Sequence, residues 1–266
     1  MDITHYFKKK DDITKDVFED NSKDTIIIYP EIDPEWNILE LAFKTVPNSW
    51  ESTFKYAYPE LELINKILQE KIDKGERIFP LKKNIFRAFY LTPLDNIKVV
   101  IIGQDPYHST DEIGEPVANG LAFSVSNNSK LQPSLYNIFK EMKNCYPSFT
   151  YESGNLSDWA KQGVFLINSC LTVKPHEAGS HKKIWFGFII KVLKAICNTV
   201  PNCIFLLWGD KAQFFRPYLE GRIKVLETSH PSGFSANRGF IGSSHFKTTN
   251  ELLISLKKEP IDWNIY

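Results

Sequence analysis

Cysteine is scarce in this 266-residue chain. Its cysteines are Cys145, Cys170, Cys197 and Cys203, and no two stand in C-x-x-C spacing. The spacing argues against a structural zinc or an iron–sulfur cluster. Free thiols in a reducing compartment are the expectation, which places the protein inside a cell, in nucleus or cytoplasm according to the organism. No run of about 18 apolar residues exists, so no membrane span is expected. The opening MDITHYFKKKDD lacks the apolar stretch of a signal peptide. Net charge is lacking as well, with 32 Lys+Arg against 32 Asp+Glu. Without a broad basic field, non-specific nucleic-acid binding is disfavoured, and any such partner must be held by local backbone donors and small polar groups. Also missing are G-x-G-x-x-G, Walker A, G-x-S-x-G, H-E-x-x-H and metal-spaced His/Cys clusters. Their absence disfavours dinucleotide enzymes, NTPases, serine hydrolases and zincins.

What the chain has is apolar and aromatic surface: 42% hydrophobic residues, including 19 Phe and 11 Tyr. That suffices for a large core and excludes global disorder. Residues 1–25 read as a charged tail, and 26–266 as one domain. DTIIIYP at 24–30 fits a short strand or a docking segment. A short helical pattern covers Trp36–Phe43. A longer one covers Trp50–Lys71, capped by Asn48 or Ser49 and ended by Lys74–Gly75. Residues 76–82 read as loop and Asn84–Phe89 as a short helix. Then the texture changes. Lys98–Gly103, Val164–Asn168, Cys203–Gly209 and Lys224–Thr228 are apolar, β-branched runs. Helical patterns over Ser134–Cys145, Lys182–Asn198, Lys211–Glu220 and Lys247–Lys257 accompany them. Near-continuous apolar strands separated by helices predict a four-stranded parallel sheet covered on both faces, an α/β fold.

In such a sheet ligands bind beyond the carboxyl ends of the strands. The four runs end in Gln104–His108, Asn168, Trp208–Asp210 and Ser229–Gly233, so these polar clusters should share one edge. Asp105 is the acid directly after the first strand. It suits activation of water or stabilisation of a cation, or else it accepts loop N–H bonds. His108 suits orienting the loop or a phosphate as well as proton transfer. Asn168 presents a donor and an acceptor that can read an amide edge, or it fixes the next loop. His230 suits an acid, a base or a donor to a developing anion, or a loop-bonding histidine. Phe234, between Ser232–Gly233 and Ser235, suits a wedge between bases, or a core anchor. Phe123 either stacks on a flat ring or packs in the core. Ser134 either caps a helix or helps bind a phosphate at its N-terminus.

These residues carry a resemblance. Gly103–His108 (GQDPYH) resembles the water-activating motif of the family 1 uracil-DNA glycosylases, and His230–Ser235 resembles that family's histidine loop, His-Pro-Ser-Pro-Leu-Ser. Gly163–His181, Phe205–Gln213 and Arg238–Phe246 are similar to the family too, in the right order between about Phe86 and Trp263. The resemblance implies a three-layer α/β/α domain around a four-stranded parallel sheet. It implies an enzyme that hydrolyses the N-glycosidic bond of uracil in single-stranded and double-stranded DNA, leaving an abasic site, without metal or organic cofactor. Asp105 would orient water and stabilise the sugar cation. His230 would donate, as a neutral imidazole, to uracil O2. Gln104 would help position the base, Tyr107 would occupy the space of thymine's methyl, Phe123 would stack on the base and Asn168 would read its edge. Ser134, Ser232 and Ser235 would hold phosphates, and Phe234 takes the place of the leucine that enters the vacated stack.

The chain departs from the family pattern at several positions. Gly233 stands for a proline, which should loosen the loop, and Phe234 for the leucine. Asp210 follows Trp–Gly where a small polar residue is usual. The stretch before Ser134, Asn127–Pro133, has a single proline. A monomer is expected. Ile3, Tyr6 and Phe7 resemble the hydrophobic part of a sliding-clamp-binding peptide without its leading glutamine, the alternative being a tail that docks locally. Two rivals are a mismatch-directed glycosylase and a noncatalytic, DNA-binding replication accessory protein of the same fold. The first usually lacks the Asp105–Tyr107 arrangement, and retention of Asp105, Asn168 and His230 argues against the second.

Overall fold

The structure, a computed structural model, describes residues 31–266. The readings for the tail over 1–25, for 24–30, and for Ile3, Tyr6 and Phe7 lie outside these residues. In chain order the helices are α1 (Ile38–Thr45), α2 (Asn48–Tyr56), α3 (Tyr58–Asp73), α4 (Arg87–Leu91), α5 (Pro133–Cys145), α6 (Ser157–Lys161), α7 (Lys182–Thr199), α8 (Asp210–Gln213) and α9 (His245–Ser255). The strands are β1 (Val99–Gly103), β2 (Val164–Asn168), β3 (Cys203–Trp208) and β4 (Ile223–Thr228). They form one sheet in the order β2-β1-β3-β4, with every neighbouring pair parallel. β1 through β3 are wholly buried, whereas β4 alternates half-buried with exposed positions at the sheet edge. Continuous apolar runs thus mark strands covered on both faces.

The aromatic residues build those covers. On one face Trp50 lies 5.2 Å and Phe89 5.3 Å from the Phe165 ring, and Phe188 joins at 5.9 Å from Phe89. These rings come from α2, α4, β2 and α7. Trp208 stands on the opposite face of the sheet, 5.8 Å from Phe246 of α9, which meets Trp159 of α6 at 6.1 Å. Two buried indole N–H groups tie the covers down: Trp50 donates to the Thr92 carbonyl at 3.0 Å and Trp159 to the Trp263 carbonyl at 2.7 Å. Aromatic pairs of this kind contribute roughly 0.5–1.5 kcal/mol each beyond area burial.

Element boundaries differ from the periodicity at several places; the helix expected over Asn84–Phe89, for one, is α4, Arg87–Leu91, after a 3₁₀ turn at Lys82–Asn84. The run expected as one helix over Trp50–Lys71 is two, α2 and α3. Pro59 in the first turn of α3 has no N–H to continue the ladder. Neither Asn48 nor Ser49 caps it: Pro47 occupies the cap position, and the Ser49 hydroxyl accepts from Leu94 N instead. The pattern over Lys211–Glu220 is α8, which ends at Gln213, followed by a 3₁₀ turn, Arg216–Tyr218, that contains Pro217. The short first helix, by contrast, is well marked locally. Asn37 and Glu40 of α1 form a reciprocal capping box. No described helix is long and apolar enough to cross a membrane.

Candidate active site

Because β1 lies between β2 and β3, the chain leaves β1 toward one neighbour and later returns beside the other. Crevices form at the carboxyl ends of such strands. In this crevice Gly103 of β1 pairs with Asn168 of β2. A Cβ on Gly103 would collide with the Asn168 side-chain oxygen. The glycine therefore lets a buried amide lie over the strand end. Asn168 is 5% exposed, and its amide bonds no described residue, so the loop-fixing alternative has no support. Ser169 ties the next turn down: its N–H donates to the Gly103 carbonyl at 2.9 Å, and its hydroxyl to the Gln104 carbonyl at 2.9 Å.

Asp105 sits on that fastened turn, half-buried. Its Oδ2 accepts from Gln104 Nε2 at 2.8 Å, while Oδ1 is buried without a hydrogen-bond partner among the described residues. Burial pushes its carboxyl above the ordinary carboxylate range. Gln104, the Gly179 N–H, His108 and Lys182 pull in the opposite direction. Tyr107 donates its hydroxyl to the Phe123 carbonyl at 3.1 Å. Phe123 has φ 63, a left-handed conformation that its Cβ disfavours. The segment is held there by Asn119, whose amide reaches Ser124 Oγ at 2.8 Å and the Val125 carbonyl at 2.7 Å. The half-buried Phe123 ring lies 5.6 Å from Trp208 and 5.8 Å from His230. The ring packs against the core through Trp208 and keeps part of its surface open beside His230.

His230 arrives from the exit of β4. Gly209, at φ 80, passes so close that a Cβ would meet His230 Cβ at 2.6 Å. The Ser232 N–H donates to His230 Nδ1 at 3.0 Å. An acceptor bond at Nδ1 puts the proton of a neutral imidazole on Nε2. Desolvation lowers the imidazole pKa and keeps it neutral. The loop is internally closed: Ser232 and Ser235 hydroxyls lie 2.9 Å apart, Ser235 Oγ donates to the His230 carbonyl at 2.8 Å, and Ser229 Oγ to the Ser235 carbonyl at 2.9 Å. Phe234 projects from it, 94% exposed, which removes the core-anchor alternative. Ser134 lies in the first turn of α5, but Gln132 holds the cap position, so its hydroxyl is not a helix cap.

Sequence reasoning missed the supporting residues. Asn119 and the N–H of Ser232 carry no motif of their own; a buried Asn before a glycine was the one available cue. Lys182 and Gly179 approach Asp105 only through the fold. Asp210 is exposed at the start of α8. Among the described residues, no group of three or more His, Cys, Asp and Glu side chains could hold a metal ion.

The model of the Uracil DNA glycosylase superfamily matches residues 89–254, a span containing all of this site. The chain belongs to that superfamily. Among uracil-DNA glycosylases it is similar to that of Francisella tularensis subsp. tularensis strain WY96-3418, at 49% identity over 195 residues, 72% of this chain and 86% of the relative. In structure it is similar to mimivirus uracil-DNA glycosylase, with TM-score 0.81 and 28% identity, over 87% of this chain and 90% of that one. A mimivirus UNG variant crystallised in complex with UGI gives TM-score 0.79 and 29% identity, over 82% of this chain and 88% of that one. The three-layer glycosylase fold and its four-stranded parallel sheet are therefore those expected of the family.

Proposed function

We propose that Asp105 and His230 cleave the glycosidic bond of a flipped-out deoxyuridine by stabilising opposite charges. The chain removes uracil from DNA by hydrolysis, releasing the free base and leaving an abasic site, the first step of base excision repair. As the bond from uracil N1 to the sugar C1′ lengthens, negative charge collects on the base and positive charge on the sugar. Asp105, ionised, faces the cation, and its free Oδ1 accepts a proton from the attacking water. His230 donates its Nε2–H toward uracil O2 without giving up the proton. Fixed groups aimed at developing charges need no reorganisation during reaction.

Asn168 reads the N3–H and O4 edge of the ring, Phe123 stacks on its face, and Tyr107 fills the space beside C5. Gln104 holds Asp105 and the loop. A base in a duplex is out of reach of these groups, so the nucleotide must leave the stack. Ser134, Ser232 and Ser235 hold phosphates in this reading, and Phe234 enters the gap. The observation that carries this reading is the pairing of an orphaned Asp105 oxygen with a His230 whose Nδ1 is already occupied, both on one sheet edge. A noncatalytic accessory protein has no use for that arrangement. The test is release of free uracil from single-stranded and duplex oligonucleotides without added metal. Binding to both DNAs with no base released would overturn the reading.

A further inference from the structure

The polar face of α5 is turned toward the histidine loop. Ser134, Asn137 and Glu141 follow each other at helical spacing, so they share one side of the helix. Two of them grip the segment that carries His230 and its continuation. Asn137 Nδ2 donates to the Pro231 carbonyl at 2.8 Å. Glu141, fully buried, accepts from Gly242 N at 2.6 Å and from Ser244 N at 2.9 Å. The first contact matters most for the chemistry. The Pro231 carbonyl and the Ser232 N–H belong to one peptide unit. That unit is planar, with its C=O and N–H pointing in opposite directions. Fixing the oxygen therefore aims the hydrogen, and the hydrogen is the one bonded to His230 Nδ1 at 3.0 Å. Hydrogen bonds in series also polarise each other, so a donor on the oxygen makes the N–H a better donor.

We propose that Asn137 is a positioning residue for His230, acting through the 231–232 peptide to hold the imidazole in its Nε2–H form and in place. The proposal rests on the role given to His230 above. Glu141 keeps α5 and the far end of that segment in register.

The test uses the full chain with imidazole nitrogens labelled. NMR reports the tautomer and pKa of His230 in the parent, in Asn137→Ala, in the near-isosteric Asn137→Asp, and in Ser134→Ala. Single-turnover uracil release is measured alongside. Asn137→Ala should raise the His230 pKa toward the ordinary value, mix its tautomers and slow release about tenfold, the equivalent of one lost hydrogen bond. Asn137→Asp, which sets a carboxylate against the carbonyl, should do more. Ser134→Ala should weaken DNA binding and leave the imidazole signals alone. Unchanged His230 tautomer and pKa in both Asn137 variants would overturn the proposal, whatever the rates. A His230→Leu variant releasing uracil at the parent rate would instead overturn the role of His230. The imidazole signals would still decide whether Asn137 positions it.

Discussion

Asp105 and His230 are shifted in opposite directions by the same cause. Burial raises the carboxyl of Asp105 from 3.8 and lowers the imidazole of His230 from 6.5. The proposed mechanism needs Asp105 ionised and His230 neutral. Both conditions fail as acid is added, so the single-turnover rate should fall through the acid window in which Asp105, above 3.8, and His230, below 6.5, take up protons. A rate that climbs through that window as pH falls would mean that a protonated imidazole is the acid. Asp105→Asn removes the charge and keeps the shape. It should leave the fold and much of the DNA affinity intact while slowing release by roughly 10²–10⁴-fold; equal single-turnover rates would remove Asp105 from the chemistry. In the proposed site Tyr107 would have two tasks in one side chain, since its ring would fill the space beside C5 while its hydroxyl donates to the carbonyl of the strained Phe123. Tyr107→Ala should therefore admit thymine, giving detectable thymine release, and should also lower uracil release. A folded variant that releases no thymine above the parent would show that another group excludes the methyl.

Between strand and helix, the histidine loop departs from the family pattern that it resembles. Gly233 replaces a proline, yet hydrogen bonds close the loop around it: Ser235 N and Ala236 N both donate to the Ser232 carbonyl, at 3.0 and 2.8 Å. A Cβ at Gly233 would meet nothing, so the remaining freedom lies in the glycine itself. Gly233→Pro should speed productive binding, since removing that freedom is worth roughly 0.4–1 kcal/mol where the geometry suits proline. Phe234 stands clear of the protein, and base–aromatic stacking contributes roughly 1–3 kcal/mol when fully formed. Phe234→Ala should slow release from duplex DNA more than from single strands, which have less stacking to overcome. Matched single-turnover assays decide this; equal fractional losses would mean that Phe234 shapes the pocket and is no wedge.

Over the whole molecule, acid should act on two further buried histidines. His181 Nδ1 lies 2.9 Å from Thr172 Oγ1, and His245 Nδ1 accepts from Trp208 Nε1 at 3.2 Å. Desolvation lowers each to about 4 from 6.5; for His181 the charge of Lys71 adds to it, while for His245 Glu141 opposes it. Between 6.5 and about 4 the unfolded chain binds protons that the native protein refuses. Stability should therefore fall as pH drops through that window, by at most roughly 1.4 kcal/mol per pH unit for each histidine, and these two should add no slope above it. Denaturant midpoints measured across the window would show this. A midpoint unchanged in acid would mean that both rings take up protons in the folded state. The sequence by itself determined the sheet, because strands buried on both faces must be apolar throughout, and it determined the polar strand ends, because a parallel sheet sends them all to one edge. It also placed Asp105, Asn168 and His230 there. It misplaced the break at Pro59, since the hydrophobic stripe runs on through a residue that cannot donate. Only the tertiary structure decided which oxygen of Asp105 stays free, that Phe123 is strained into the crevice, and that a peptide held by Asn137 meets His230. The last of these depends on a hydrogen bond between residues far apart in the chain, from Asn137 to Pro231, and no local periodicity encodes such a distance.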